Sequence, residues 1–167
     1  MAIEIQIDAT KLDVEVHETD GTVAGRPWMI VGANLVTGHL AYCALTLDEP
    51  SGKAIIDMLE SWLSSDGDRG SRNHVVHALM GMPNKIKLDR SLCTPELQLY
   101  AARNQIELSI LSLSRQKGCT EQIFHSFEFK HFPPGSPKSR NDAQRLSVSW
   151  PEVLNICQRI CYRGEEL

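Results

Sequence analysis

Residues Ile3 to Asp8 read Ile-Glu-Ile-Gln-Ile-Asp, and this strict alternation constrains the chain more than any other feature. Successive side chains of a strand point to opposite faces, so Ile3, Ile5 and Ile7 make one apolar face and Asp8 falls on the other. A carboxylate that closes so apolar a strand needs a partner or a metal ion to offset its desolvation.

Two further acids stand at comparable positions. Asp89 closes the alternating run Lys85-Ile-Lys-Leu-Asp89, which comes after turn residues Pro83 and Asn84. It therefore sits at the carboxyl end of a strand, where open α/β sheets place their active sites. Glu121 comes after Lys117-Gly-Cys-Thr120, and Ile123, Phe124 and Phe127 recur at helical spacing between Thr120 and Lys130. With Thr120 as N-cap, Glu121 lies in the first helical turn. The chain has 21 acidic residues, so position alone singles out none of them. The order strand, strand, helix is what aims these three at one point and leads us to expect a site for divalent metal ions.

The chain has 167 residues, 42% of them hydrophobic, enough for one domain with a substantial core. We take residues 1–167 as that domain, ending in a loop and helix that begin near Pro133. No apolar stretch approaches the roughly 18 residues of a membrane span, and no charged-then-apolar leader opens the sequence. The expectation is a soluble, cytoplasmic protein with no membrane partner. Cys43, Cys93, Cys119, Cys157 and Cys161 are odd in number and form no C-x-x-C pair, so neither a disulfide framework nor a zinc ribbon is indicated. His74 and His77 have a spacing that helix-borne ligands can use, but no third ligand accompanies them.

Along the chain, Leu12, Val14 and Val16 continue the alternation on even positions, which leads us to expect a bulge or break near Ala9 to Lys11. Pro27 to Leu35 and His39 to Leu47 read as two strands joined by a Thr37-Gly38 turn, giving three antiparallel strands. A helix from Pro50 and Ser51 to about Ser64 carries the stripe Ile55, Met58, Leu59, Trp62 and Leu63. Ser64 to Arg72 is a loop, and Asn73 to Met80 fits a helical turn or a strand. Pro95 to Asn104 reads as helix, Ile106 to Leu113 as strand, Pro133 to Arg145 as loop, and Ser149-Trp-Pro151 as the start of a last helix. The order β-β-β-α-β-α-β-α-α resembles the ribonuclease-H-like pattern: a five-stranded mixed α/β sheet, first three strands antiparallel, flanked by helices. In that pattern the fourth strand pairs with the first, which would bring Asp89 beside Asp8.

Specific segments carry a closer resemblance. Ile7-Asp8-Ala9-Thr10, Gly25-Arg26-Pro27-Trp28 and Val36-Thr37-Gly38 are similar to the catalytic core of the DDE transposase and retroviral integrase superfamily. Leu88-Asp89 stands where that superfamily reads Asp-Asn-Gly, and Lys117-Gly-Cys-Thr-Glu121 stands where it reads Lys-Gly-x-x-Glu. Phe132-Pro-Pro-Gly135 looks like the Leu-Pro-Gly of phage Mu-type transposases. The resemblance implies that Asp8, Asp89 and Glu121 form the catalytic, metal-holding triad. Two departures stand out. The stretch from Asp89 to Glu121 is shorter than is common in the family, and Arg90-Ser91 replaces Asn-Gly, so the turn presenting Asp89 must differ.

The resemblance also implies metal-dependent DNA cleavage and strand transfer with two Mg2+ or Mn2+ ions held by carboxylate oxygens. Arg115 and Lys117, just before Glu121, would contact DNA phosphates. The net charge of −4 is unusual for a protein that holds a polyanion, so other domains of a longer transposase are expected to supply most DNA affinity, with a homo-oligomer as the working form. The alternatives are a nuclease of the same fold, or a degenerate core that serves in assembly or DNA-complex architecture.

Overall fold

A computed structural model of the chain describes residues 3–12, 14–37, 40–63, 74–76, 82–111, 146–153 and 155–156. The alternating segments form strands β1 (Glu4–Lys11), β2 (Val14–His17), β3 (Val23–Gly25), β4 (Trp28–Asn34) and β5 (Leu40–Thr46). Helix α1 (Gly52–Leu63) comes next, then β6 (His74–Val76), β7 (Lys85–Leu88), a 3₁₀ turn at Arg90–Leu92, α2 (Pro95–Arg103), β8 (Glu107–Ile110) and β9 (Leu146–Ser149). Residues 150–153, 155 and 156 are helical.

The main sheet has the order β6-β5-β4-β1-β7-β8. β1, β4 and β5 are antiparallel in succession, whereas β7 lies parallel to β1 and β8 parallel to β7. This is the expected five-stranded mixed sheet, lengthened at one edge by the short strand β6. A second sheet, β3-β2-β9, pairs β2 antiparallel to β3 and parallel to β9. The sequence reads as loop from Pro133 to Arg145 with a helix as the next element; β9 is an addition to that order, invisible locally because its partner β2 lies at the other end of the chain.

Two apolar cores sandwich the main sheet. On one face Ile5, Ile7, Ile30, Tyr42, Ile86 and Leu88 meet Ile55, Met58 and Leu59 of α1 and Leu97 and Ala101 of α2. The side chains of Trp62 and Leu63 lie outside the described ones. On the other face Met29, Val31, Ala33, Cys43 and Leu45 meet Leu12, Val14, Val16 and Val153, with Trp150 and Ile156 packed alongside.

This second core explains the change of parity after Ile7: of the bulge or break expected near Ala9 to Lys11, the bulge is absent and the break falls just beyond, between β1 and β2. The β1–β4 register runs unbroken from Ile5↔Asn34 to Lys11↔Trp28. The even face that carries Asp8 and Thr10 simply becomes the buried face from Leu12 onward. The chain bends after Leu12, whose N–H donates to Pro27 O (2.9 Å) and whose carbonyl accepts from Arg26 Nε (3.0 Å). Among the described residues, no helix is long and apolar enough to cross a membrane.

Candidate functional site

The site is built on the parallel pair β1 and β7. Their register aligns Ile5 with Ile86, Gln6 with Lys87 and Ile7 with Leu88, and the four apolar members are all fully buried in the α1/α2 core. Asp8 and Asp89 each come one residue after the last aligned pair. Asp89 keeps an extended backbone (φ −66°, ψ 151°), so alternation carries both acids to the face opposite Ile7 and Leu88. Neighbouring strands lie about 4.8 Å apart, which makes these half-buried residues neighbours at the carboxyl end of both strands. On its other side Asp8 is in register with buried Val31 of β4.

Local hydrogen bonds fix both side chains. Asp8 Oδ1 accepts from the Ala9 N–H at 2.9 Å. Asp89 is the N-cap of the 3₁₀ turn, and its Oδ1 accepts from the N–H and the hydroxyl of Ser91, each at 3.0 Å. The departure at Arg90-Ser91 is thereby resolved. Among the described residues the one non-glycine with positive φ is Gln105, so the turn after Asp89 needs no left-handed residue, and serine adds a hydroxyl donor where glycine has none. Leu92, buried in the α1/α2 core, and Thr94, whose Oγ1 caps α2 by accepting from Leu97 N–H, hold the turn from its far side.

Below the acids, the same face of β1, β7 and β8 is polar and paired. Lys87 Nζ contacts Glu4 Oε1 at 2.8 Å, and Lys85 pairs with Glu107. The bond from Lys87 holds the Glu4 carboxyl below the usual glutamate range, and Glu107 raises the Lys85 ammonium above the usual lysine range. Gln6 lies between this ladder and Asp8 and is almost fully buried. The Glu4–Lys87 pair opposes a slip of β1 against β7, which would move an acid to the wrong face, and Lys85–Glu107 ties β7 to β8.

Glu121, Arg115, Lys117 and His125 lie outside the described residues. The stretch that contains them leaves β8 at Leu111, whose N–H donates to Leu88 O (2.9 Å) one residue from Asp89, and it returns as β9 beside Val14 of β2. The structure thus brings two of the three expected acids together; among the described residues no group of three His, Cys, Asp or Glu side chains is placed to hold a metal ion. His74 lies in β6, and His77 lies outside the described residues. One pair escaped sequence reasoning: Lys11 Nζ stands 5.9 Å from the centroid of the Trp28 ring, its register partner. The alternation of β1 and the aromatic opening β4 were both visible, but nothing local aligned them.

Fold and acid pair together define a ribonuclease-H-like α/β domain with carboxylates just past the paired stretch of two adjacent parallel strands. Its architecture is similar to that of retroviral integrase catalytic cores. The dimeric form of the HTLV-2 integrase catalytic core domain in complex with magnesium aligns with a TM-score of 0.50 at 16% identity, over 75% of this chain and 67% of that one. The trimeric form of the same domain gives 0.54 at 14% identity, over 93% and 82%. A chain of the simian T-cell lymphotropic virus intasome in complex with PP2A regulatory subunit B56 gamma gives 0.55 at 16%, over 93% of this chain but only 46% of that one. At such identities the likeness is one of fold. No protein-family model matches the chain, and no curated protein is similar to it in sequence.

Proposed function

We propose that this chain is the catalytic core of a polynucleotidyl transferase of the DDE transposase and integrase superfamily, which cleaves DNA ends and joins them to target DNA. The observation that carries the reading is the parallel β1–β7 register, which sets Asp8 and Asp89 side by side at the carboxyl end of the sheet. The donor set fits divalent ions: two half-buried carboxylates on rigid strands offer the oxygen ligands that Mg2+ or Mn2+ prefers. Asp8 and Asp89, with Glu121 as third acid, would hold the ions. When bound, such a pair of ions activates an attacking oxygen and stabilises the leaving one.

The chain's own contribution is placement. Ile7 and Leu88 anchor the two strands in the core, and the Ser91 cap keeps the Asp89 carboxylate at its strand end. Arg115 and Lys117, close before Glu121, would steady a DNA phosphate. The motifs resemble those of bacterial, phage Mu-like members of the superfamily, and the net charge of −4 favours further domains and self-association as the source of DNA affinity. A second reading, a catalytically silent core with an architectural role, draws on Asp89's occupation as a helix cap and on the short stretch from Asp89 to Glu121.

The two readings part in a melting experiment. Mn2+ should raise the melting midpoint of the wild type and leave Asp8→Asn and Asp89→Asn unmoved. The metal-free variants should melt no lower than wild type, since each loses a like-charge neighbour. A Mn2+ response that survives both substitutions removes the acid pair from the mechanism.

A further inference from the structure

The cations of the described residues fall into two groups. Lys53 pairs with Asp57, Lys85 with Glu107 and Lys87 with Glu4. Arg103, in the last turn of α2, is exposed and makes no ion pair among the described residues, and the same holds for Lys11 and Arg90. The latter two lie at the carboxyl end of the parallel strands: Lys11 ends β1 three residues beyond Asp8, and Arg90 comes directly after Asp89. The Lys11 ammonium is directed by the face of Trp28, an arrangement that orients a cation without neutralising it. Arg26 donates Nε to the carbonyl of Leu12, so a second cationic side chain is fastened to the residue after Lys11.

We infer that Lys11, oriented by Trp28, and Arg90 form a seat for a phosphodiester strand that passes over the acid pair. The inference rests on the polynucleotide reading above and adds the course of the strand. Carboxylates alone would repel a polyanion, and these two cations, one beyond Asp8 and one directly after Asp89, offset that repulsion. Three strand residues place Lys11 about 10 Å beyond Asp8, about three base steps of stacked nucleic acid. Lys11 occupies the opposite face of β1 from Asp8, so the strand crosses the end of the sheet and does not lie along the acid face. Asp48 and Glu49, exposed just after β5 at the same end, bound the seat on the far side of β4.

The test is fluorescence anisotropy of a short fluorescein-labelled single-stranded DNA with the full chain in EDTA, over a series of salt concentrations. Lys11→Met should weaken binding about three- to tenfold and reduce the slope of log affinity against log salt by about 0.7. Lys11→Arg, which keeps the charge and the ring contact, should bind within about twofold of wild type, and Lys53→Met on α1 should match wild type. The inference is overturned by unchanged affinity and slope in Lys11→Met, by equal loss in Lys53→Met or in Lys11→Arg, or by a wild type that binds no DNA at low salt. None of these outcomes alters the Mn2+ melting response of the acid pair, so the seat can fail while the functional reading stands.

Discussion

Gly52 opens α1 where that helix touches the cap of α2, and replacing it by alanine tests how the acid-bearing turn is held. A Cβ at Gly52 would overlap Thr94 Oγ1 and lie 3.0 Å from Thr94 Cβ and 3.1 Å from Leu97 Cβ. The hydroxyl must then leave its bond to Leu97 N–H, at a loss of about 1 kcal/mol for an N-cap. Separating the carbon atoms adds about 1–3 kcal/mol of overpacking strain. Alanine's better helix propensity returns at most about 1 kcal/mol, less at a first position. Gly52→Ala should therefore destabilise the fold by about 1–3 kcal/mol, and Thr94→Ala alone by about 1 kcal/mol. In the double variant the cap is lost only once and the overlap with Oγ1 is gone, so its cost should fall short of the sum by about 1 kcal/mol. Urea denaturation with a common slope measures all three differences. Additivity within about 0.5 kcal/mol, or a Gly52→Ala as stable as wild type, would refute the close approach of α1 to the α2 cap.

Two substitutions probe the acid-bearing face itself. Asparagine caps a helical turn as well as aspartate does, so Asp89→Asn should hold the metal-free stability of wild type, whereas Asp89→Ala should lose about 0.5–2 kcal/mol; equal losses in urea denaturation would show that the charge and not the cap supports the turn. The Glu4 carboxyl is depressed in the folded chain by the Lys87 bond, so its contribution is present above the ordinary glutamate range and disappears as pH falls through the folded value. Glu4→Gln should accordingly lower the melting midpoint at neutral pH, and by progressively less as pH falls below the ordinary glutamate range and through the depressed folded value; a difference independent of pH would mean that the ion pair contributes nothing.

Much of this arrangement was legible locally. Period-two alternation identified β1 and β7 and put Asp89 just past the end of β7, whereas β1, which the alternation had closing at Asp8, continues three residues beyond it; period-3.6 spacing identified the buried face of α1. The helix read over Pro95 to Asn104 is α2, and the structure adds its Thr94 cap. The parity change after Ile7 was visible, but its cause was not. Alternation reports which residues are buried and cannot say that a second core, roofed by β2, β9 and Val153, lies across the sheet from the first.

By itself the sequence determined the main strands and helices and the strand faces on which Asp8 and Asp89 fall, because backbone geometry and side-chain period act between near neighbours. Tertiary structure alone decided the break at Leu12, the pairing of β2 with β9, the meeting of Lys11 with Trp28 and the register that sets Asp8 against Asp89. Each of these joins segments distant along the chain, and their alignment is chosen by a shared core and cross-strand ion pairs that exist only once the sheet has assembled.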